Sequence, residues 1–316
     1  MFEAPNGPAR EPALEDEKLI ASDGTALPLR IWKPAGPVWA AAVALHGYND
    51  YSMAFSETGT ELAERGIATY AYDQRGFGGA AGFRYWHGTD RMVADFRAAV
   101  ALVRARHPGL PVYAIGESMG GAVVLVAGGG GADGAVLIAP AVWGASTMPF
   151  YQSATLHVLT HMMPWWRISG AGLPIQPSDN RAALRRLAAD PLVIKDTRLD
   201  SVFGLVRLMD EALEAAPKLK GPALVLYGKD DDIVPRPPTC RMIRTLPPAP
   251  AGKWRIVLYP EGHHMLTRDL AGRQVIGDIA AFFAAPDRPV PSHAEIDRAE
   301  AGRAPPQRAE ALCMKE

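Results

Sequence analysis

The chain has 316 residues, a formal net charge of -1, 48% hydrophobic and 21% charged residues. Those proportions belong to a globular protein with a large core, in one large domain or two smaller ones, and they exclude the basic balance expected of a nucleic-acid binder. Only Cys240 and Cys313 are present, which is neither a disulfide framework nor a metal-ligand spacing and is compatible with a reducing compartment. Residues 1–30 hold no apolar core of signal-peptide length. No run approaches the ~20 residues of a membrane span. The expectation is a soluble, cytoplasmic chain, with export of a longer natural precursor left open.

Residues 1–16 are Pro-, Ala- and Glu-rich and read as a poorly ordered N-terminus. Lys18 to Ala21 and Leu27 to Trp32 flank Ser22-Asp23-Gly24-Thr25, a hairpin with an Asp-Gly turn. Trp39 to Leu45 is a continuous apolar run too short for a helix, as expected of a strand buried on both faces, and it ends at His46-Gly47-Tyr48-Asn49-Asp50. A helix to about Arg65 and a strand from Ile67 to Tyr72 follow. Asp73-Gln74-Arg75-Gly76-Phe77-Gly78-Gly79 makes the next loop, and Asp90 reads as the cap of a helix running to about Arg106. Val112 to Ile115 is a strand, Ala122 to Ala127 a helix, and Ala135 to Ile138 a further strand. Strands alternating with helices indicate an α/β fold, a mostly parallel sheet with helices on both faces. Between Pro140 and about Pro217 the rhythm breaks. No clear strand appears there, Met, Trp and Pro are frequent, and Ser201 to Leu213 reads as an amphipathic helix. A helical cap over about 141–217 is the economical reading. Strands resume at Ala223 to Tyr227 and Arg255 to Leu258, and Thr267 to Ala284 reads as the closing helix. The main α/β domain then spans 17–285, and 286–316 is a Pro-, Ala- and charge-rich disordered tail.

Gly116-Glu117-Ser118-Met119-Gly120 fits G-x-S-x-G between a strand and a helix, the context in which the motif marks a nucleophile elbow. The sharp turn leaves no room for side chains at Gly116 and Gly120 and lifts the Ser118 hydroxyl beside the positive end of the helix. A serine needs a base, and the base needs an acid to fix its tautomer. In this architecture they follow in the order Ser, Asp or Glu, His. Downstream lie an acidic loop, Gly228-Lys229-Asp230-Asp231-Asp232-Ile233-Val234-Pro235, and a histidine loop, Glu261-Gly262-His263-His264-Met265-Leu266. Each follows a predicted strand. His46 sits where this architecture puts the oxyanion loop and reads as a loop brace, not a base. His157 and His161, four apart in the cap, lack a third ligand pattern, so no metal site is assigned to them. Gly128 to Gly131 lacks the lysine of a phosphate loop and reads as a connector. Met162-Met163-Pro164-Trp165-Trp166 suits either a cap core or an exposed lip for acyl chains or a bilayer surface.

From Leu27 to Phe283 the sequence resembles the α/β-hydrolase superfamily, and within it the monoacylglycerol lipase and lysophospholipase-like branch of S33-type hydrolases. The markers are His46-Gly47, Asp73 to Gly78, Gly116 to Gly121, Asp190-Pro191-Leu192-Val193, Gly228 to Pro235 and His264-Met265-Leu266. The resemblance implies a triad of Ser118, Asp231 and His264, the acid standing three residues after Gly228 and the base opening the H-x-L pattern. It also implies an oxyanion hole from the N–H groups of Tyr48 and Met119. Tyr48 stands where relatives often carry a small or aliphatic residue, so its ring or hydroxyl bears on substrate size. The implied activity is hydrolysis of a single-chain lipid ester, monoacylglycerol or lysophospholipid. It needs no cofactor and no metal, with transient membrane contact through the cap. A short-chain carboxylesterase, a proline-iminopeptidase-like peptidase and a non-catalytic receptor on the same fold are the alternatives. The peptidase would need clustered cap carboxylates, and Asp179, Asp190, Asp210 and Glu211 form no such cluster in the sequence. Serine at the nucleophile position disfavours dehalogenase and epoxide hydrolase chemistry.

Overall fold

The computed structural model describes residues 10–170, 172, 174–246, 254–296 and 313. The short strands β1 (Ala13–Glu15) and β2 (Lys18–Ile20) lead through the Asp-Gly turn into β3 (Ala26–Trp32). Gly24 takes the left-handed φ of +80° that the turn requires. Then come β4 (Ala40–Leu45), α1 (Ser56–Glu64), β5 (Ile67–Tyr72), α2 (Thr89–Arg106), β6 (Val112–Glu117), α3 (Met119–Val126) and β7 (Gly134–Ile138). A long segment carries α4 (Phe150–Met162), β8 (Arg167–Ser169), α5 (Arg181–Ala189), β9 (Asp196–Arg198) and α6 (Leu199–Ala215). The chain returns to the sheet with β10 (Ala223–Gly228), α7 (Arg236–Thr245), β11 (Trp254–Tyr259), α8 (Gly272–Ala284) and β12 (Glu295–Ile296).

The large sheet runs β1-β2-β3-β5-β4-β6-β7-β10-β11-β12. Its centre, from β5 through β11, is parallel, and the pairings of β1, β2, β3 and β12 are antiparallel. Continuous apolar runs form these strands because both faces are covered. Along β4, Ala41, Val43 and Leu45 enter one core with α2 and α3, while Ala40, Ala42 and Ala44 enter the other with α1 and α8. The α/β-hydrolase expectation is met, with all strand ends that carry motifs at one edge of the sheet.

Several boundaries differ. Residues 10–16 are not loose: Ala13–Glu15 pairs with Lys18–Ile20 as an antiparallel edge of the sheet, and residues 1–9 lie outside the described residues. The start of the C-terminal tail is ordered as well, since Glu295 and Ile296 pair with Val257 and Ile256. Cys313 is joined to Cys240 by a disulfide across 73 residues, which corrects the reading of two unconnected thiols. The rest of 297–316 lies outside the described residues. Asp90 is in the first turn of α2, not its cap, a position Gly88 occupies. The predicted closing helix is broken: Leu266–Arg268 is a 3-10 turn and α8 begins at Gly272, whose Cβ as alanine would stand 2.4 Å from Thr267 O. Two three-residue strands, β8 and β9, pair antiparallel inside the inserted segment.

Candidate functional site

Ser118 sits between the last residue of β6 and the first of α3 with φ +51° and ψ -113°. A non-glycine residue there is strained by about 1–3 kcal/mol. Its neighbours explain why the turn can close. A Cβ on Gly120 would stand 2.1 Å from Leu45 O, and one on Gly116 would stand 2.6 Å from the Gly121 backbone. The turn is held by Ser118 N–H donating to Ile138 O at 2.8 Å and by Ser118 O accepting from Ala141 N–H at 2.9 Å. Met119 opens α3, so its N–H is among those that the helix itself cannot satisfy.

The acidic loop after β10 resolves its three aspartates. Asp231 is buried, and its Oδ2 lies 2.8 Å from His264 Nδ1. Its Oδ1 accepts from Ile233 N–H at 2.8 Å and Val234 N–H at 2.9 Å, so both oxygens are engaged. Asp230 and Asp232 are exposed, and Asp232 accepts only a long bond from Gln176 N–H. Of the two histidines, His264 faces the acid while His263 makes a 3.1 Å contact with the Gln176 side chain. Ser118 and His264 line one cavity. The serine hydroxyl makes no hydrogen bond to the imidazole among the described residues. In apo sites this contact often tightens only with substrate in place.

His46 is fully buried and works as a brace. Gln74 N–H donates to its Nε2 at 2.9 Å, which leaves the proton on Nδ1 facing Gly47 O at 2.8 Å. Burial holds its pKa below the ordinary value and keeps it neutral. Gln74 also donates from Nε2 to His46 O, and Asp73 accepts from Ser52 N–H and Gly79 N–H. The loop after β5 therefore props the loop after β4. Gly47 lies against the elbow: a Cβ there would stand in ordinary contact with Ser118 Cβ, at 3.4 Å. Tyr48 stacks edge-on against Phe77 and donates its hydroxyl to Ser201 Oγ at 2.8 Å, a link from this loop to α6. Burial pushes the Tyr48 phenol up, so it stays protonated and donating.

The cavity of about 750 Å³ has the serine and histidine on its floor. Its walls, from the inserted segment, include Trp143, Leu184, Leu187, Val202, Leu205 and Met209. Among the described residues, the only carboxylates lining it are Asp50 and Glu117, and both bind Arg268, which lines it too. Sequence reading missed this triad of charges. The signal was Glu117 at the end of an apolar strand, where a carboxylate demands a partner. Met162, Trp165 and Phe150, by contrast, are 66%, 63% and 84% exposed.

Asp179, His263 and Asp269 bring one ligand atom each within 4.8 Å of one another, the one group among the described residues with metal-ligand geometry. His157 and His161 stack at 4.2 Å without a third ligand among the described residues.

A parallel sheet with a strained serine turn, a histidine–aspartate pair from the loops after β11 and β10 and an inserted helical segment defines an α/β-hydrolase. Residues 36–271 match the family described as "Serine aminopeptidase, S33", and the chain belongs to that family. It is 29% identical over 229 residues to human monoglyceride lipase, covering 67% of this chain and 72% of that one. The monoacylglycerol lipase of Mycolicibacterium smegmatis is 27% identical over 220 residues, 65% of this chain and 75% of that one. The chain spans only 23% of another relative, an uncharacterized abhydrolase domain-containing protein of Dictyostelium discoideum, at 25% identity over 220 residues and 68% of this chain. Among solved structures, a soluble variant of monoglyceride lipase from Saccharomyces cerevisiae superimposes with a TM-score of 0.70 at 19% identity, covering 91% of this chain and 99% of that one. The Paleococcus ferrophilus monoacylglycerol lipase gives 0.67 at 22%, covering 82% and 99%. The two solved structures share the fold.

Proposed function

We propose that the chain is a serine hydrolase cleaving carboxylic esters of single-chain lipids, monoacylglycerols or lysophospholipids. Ser118 attacks the ester carbonyl, and His264 takes its proton and delivers it to the leaving alcohol. Asp231 fixes the imidazole tautomer through Nδ1. The N–H groups of Tyr48 and Met119 receive the oxyanion, each contributing about 2.7–4 kcal/mol to the transition state. Water activated by His264 then releases the acid from the acyl-enzyme.

The observation that carries the reading is the pairing of that floor with apolar walls in one cavity. An alkyl chain gains about 0.8 kcal/mol per buried CH₂ there, and a small acyl group would leave most of the walls uncovered. A peptidase would need a free carboxylate for the substrate amine. Asp50 and Glu117 are taken by Arg268, and Asp190 and Asp210 serve Tyr51 and the backbone of residues 145–146. The exposed Met, Trp and Phe side chains of α4 and the turn after it form an apolar lip suited to transient contact with a lipid surface. Among the described residues, no helix is long and apolar enough to cross a membrane.

One substrate panel tests the reading: p-nitrophenyl esters of graded length, monoacylglycerols, lysophospholipids, di- and triacylglycerols and aminoacyl amides. Single-chain lipid esters should be the best substrates. A preference for acetate and butyrate esters would favour the short-chain esterase, and amide cleavage the peptidase. A fluorophosphonate probe should label Ser118, which a non-catalytic receptor need not do.

A further inference from the structure

Three loops form the site, and one buried side chain touches all of them. Arg268 ends the 3-10 turn Leu266–Arg268, four residues after His264. Its Nη1 donates to Asp50 Oδ2 at 2.6 Å, and its Nη2 donates to Glu117 Oε1. Asp50 is two residues past Tyr48, and its other oxygen fixes the loop by accepting from Tyr51 N–H at 2.9 Å. Glu117 immediately precedes Ser118. Its Oε1 lies 3.9 Å from where a Cβ on Gly47 would stand, which places the carboxylate against the oxyanion loop. All three side chains are buried.

We infer that Arg268 is a positioning residue for ester hydrolysis: it holds the oxyanion loop, the serine elbow and the histidine loop in mutual register, and it neutralises the carboxylate beside the elbow. The inference rests on the serine-hydrolase reading above. A buried ion cluster is weak evidence for a stabilising role, because desolvation offsets much of the attraction. Its placement is informative instead. Without the guanidinium, two buried carboxylates would face the region where the ester oxygen gains negative charge. Burial works against the cation, but Glu117 and Asp50 outweigh it and hold Arg268 above its ordinary range. A planar fork reaches two carboxylates at once, which a single ammonium does less well.

The test uses the full chain, a soluble p-nitrophenyl ester and the variants Arg268→Lys, Arg268→Met, Glu117→Gln and Arg268→Met/Glu117→Gln. Arg268→Met should lower kcat about 10–100-fold with KM changed less than about threefold, as expected for loss of alignment. Arg268→Lys should fold like the wild type and recover only part of that loss, and it carries the test if the methionine variant misfolds. Adding Glu117→Gln to Arg268→Met should regain at least about fivefold in kcat, since it removes an uncompensated charge. Wild-type kcat in folded Arg268→Lys and Arg268→Met overturns the inference. So does a loss confined to KM, or a double variant no faster than Arg268→Met. A wild type inert to every ester and to the fluorophosphonate removes the parent reading and this one together. An active wild type with equally active Arg268 variants removes this one alone.

Discussion

His264 Nδ1 and Asp231 Oδ2 stand 2.8 Å apart, and the second oxygen of that carboxylate is fixed by the N–H groups of Ile233 and Val234. The carboxylate is thus oriented by its own turn as well as by the histidine. An asparagine at 231 can keep the backbone bonds only by turning its NH₂ toward the imidazole, which then sits in the wrong tautomer. Asp231→Asn should lower kcat by about 10⁴-fold, while Asp230→Asn and Asp232→Asn, both exposed, should stay within about twofold. Equal losses from all three would assign the acid elsewhere.

Ser118→Ala should abolish turnover and fluorophosphonate labelling without lowering the melting temperature, because the removed hydroxyl makes no hydrogen bond among the described residues. Alanine keeps the backbone strain at φ +51°. Ser118→Gly relieves about 1–3 kcal/mol of it against roughly 0.5–1 kcal/mol of added unfolded-state freedom. The glycine variant should therefore melt above the alanine variant and be equally inactive. Thermal melts of the pair decide it, and a lower melt for glycine counts against a strained elbow.

Reduction should destabilise the fold. The Cys240–Cys313 bond closes a loop across 73 residues that includes β11, the histidine loop and α8. Bonds of this kind contribute about 2–4 kcal/mol. Dithiothreitol on the wild type and the Cys313→Ser substitution should lower the melting temperature by the same amount, and dithiothreitol should not lower that of Cys313→Ser further. Non-reducing peptide mapping should recover the linked pair. Two free thiols in the oxidised protein would contradict the pairing.

The exposed lip of α4 makes a prediction that separates binding from chemistry. Met162→Ser with Trp165→Ser should reduce hydrolysis of vesicle-borne monoacylglycerol at least about tenfold, since losing even one of the two large apolar side chains from an interface costs about 1.5 kcal/mol or more. The rate on a soluble, monomeric ester should not change. A matching fall on both substrates would mean the lip serves the cavity and not a surface.

The central strands and the three motif loops were legible because each depends on local sequence. β4, β5, β6 and β10 announce themselves as unbroken apolar runs, and Gly116-Glu117-Ser118-Met119-Gly120 carries its own turn. What stayed hidden depends on residues distant in the chain. Arg268 lies 151 residues from Glu117 and 218 from Asp50, and no periodicity links them. Cys240 and Cys313 gave no spacing rule to apply. β8 and β9 have three residues each, too few for an alternation to be read. The break at 269–271 was hidden because no proline or glycine stands within it, and Gly272 just after it packs closely on Thr267.

The inserted segment is fastened to the reactive loops themselves: Tyr48 holds Ser201, Asn49 O accepts Ile194 N–H at 2.9 Å, and Met265 N–H donates to Pro177 O at 2.9 Å. The roof is thus tied to the floor at three points. On the serine-hydrolase reading proposed above, lifting it would also disturb the loops proposed to carry the oxyanion donor and the base, so entry of a fatty chain and readiness to react would be coupled.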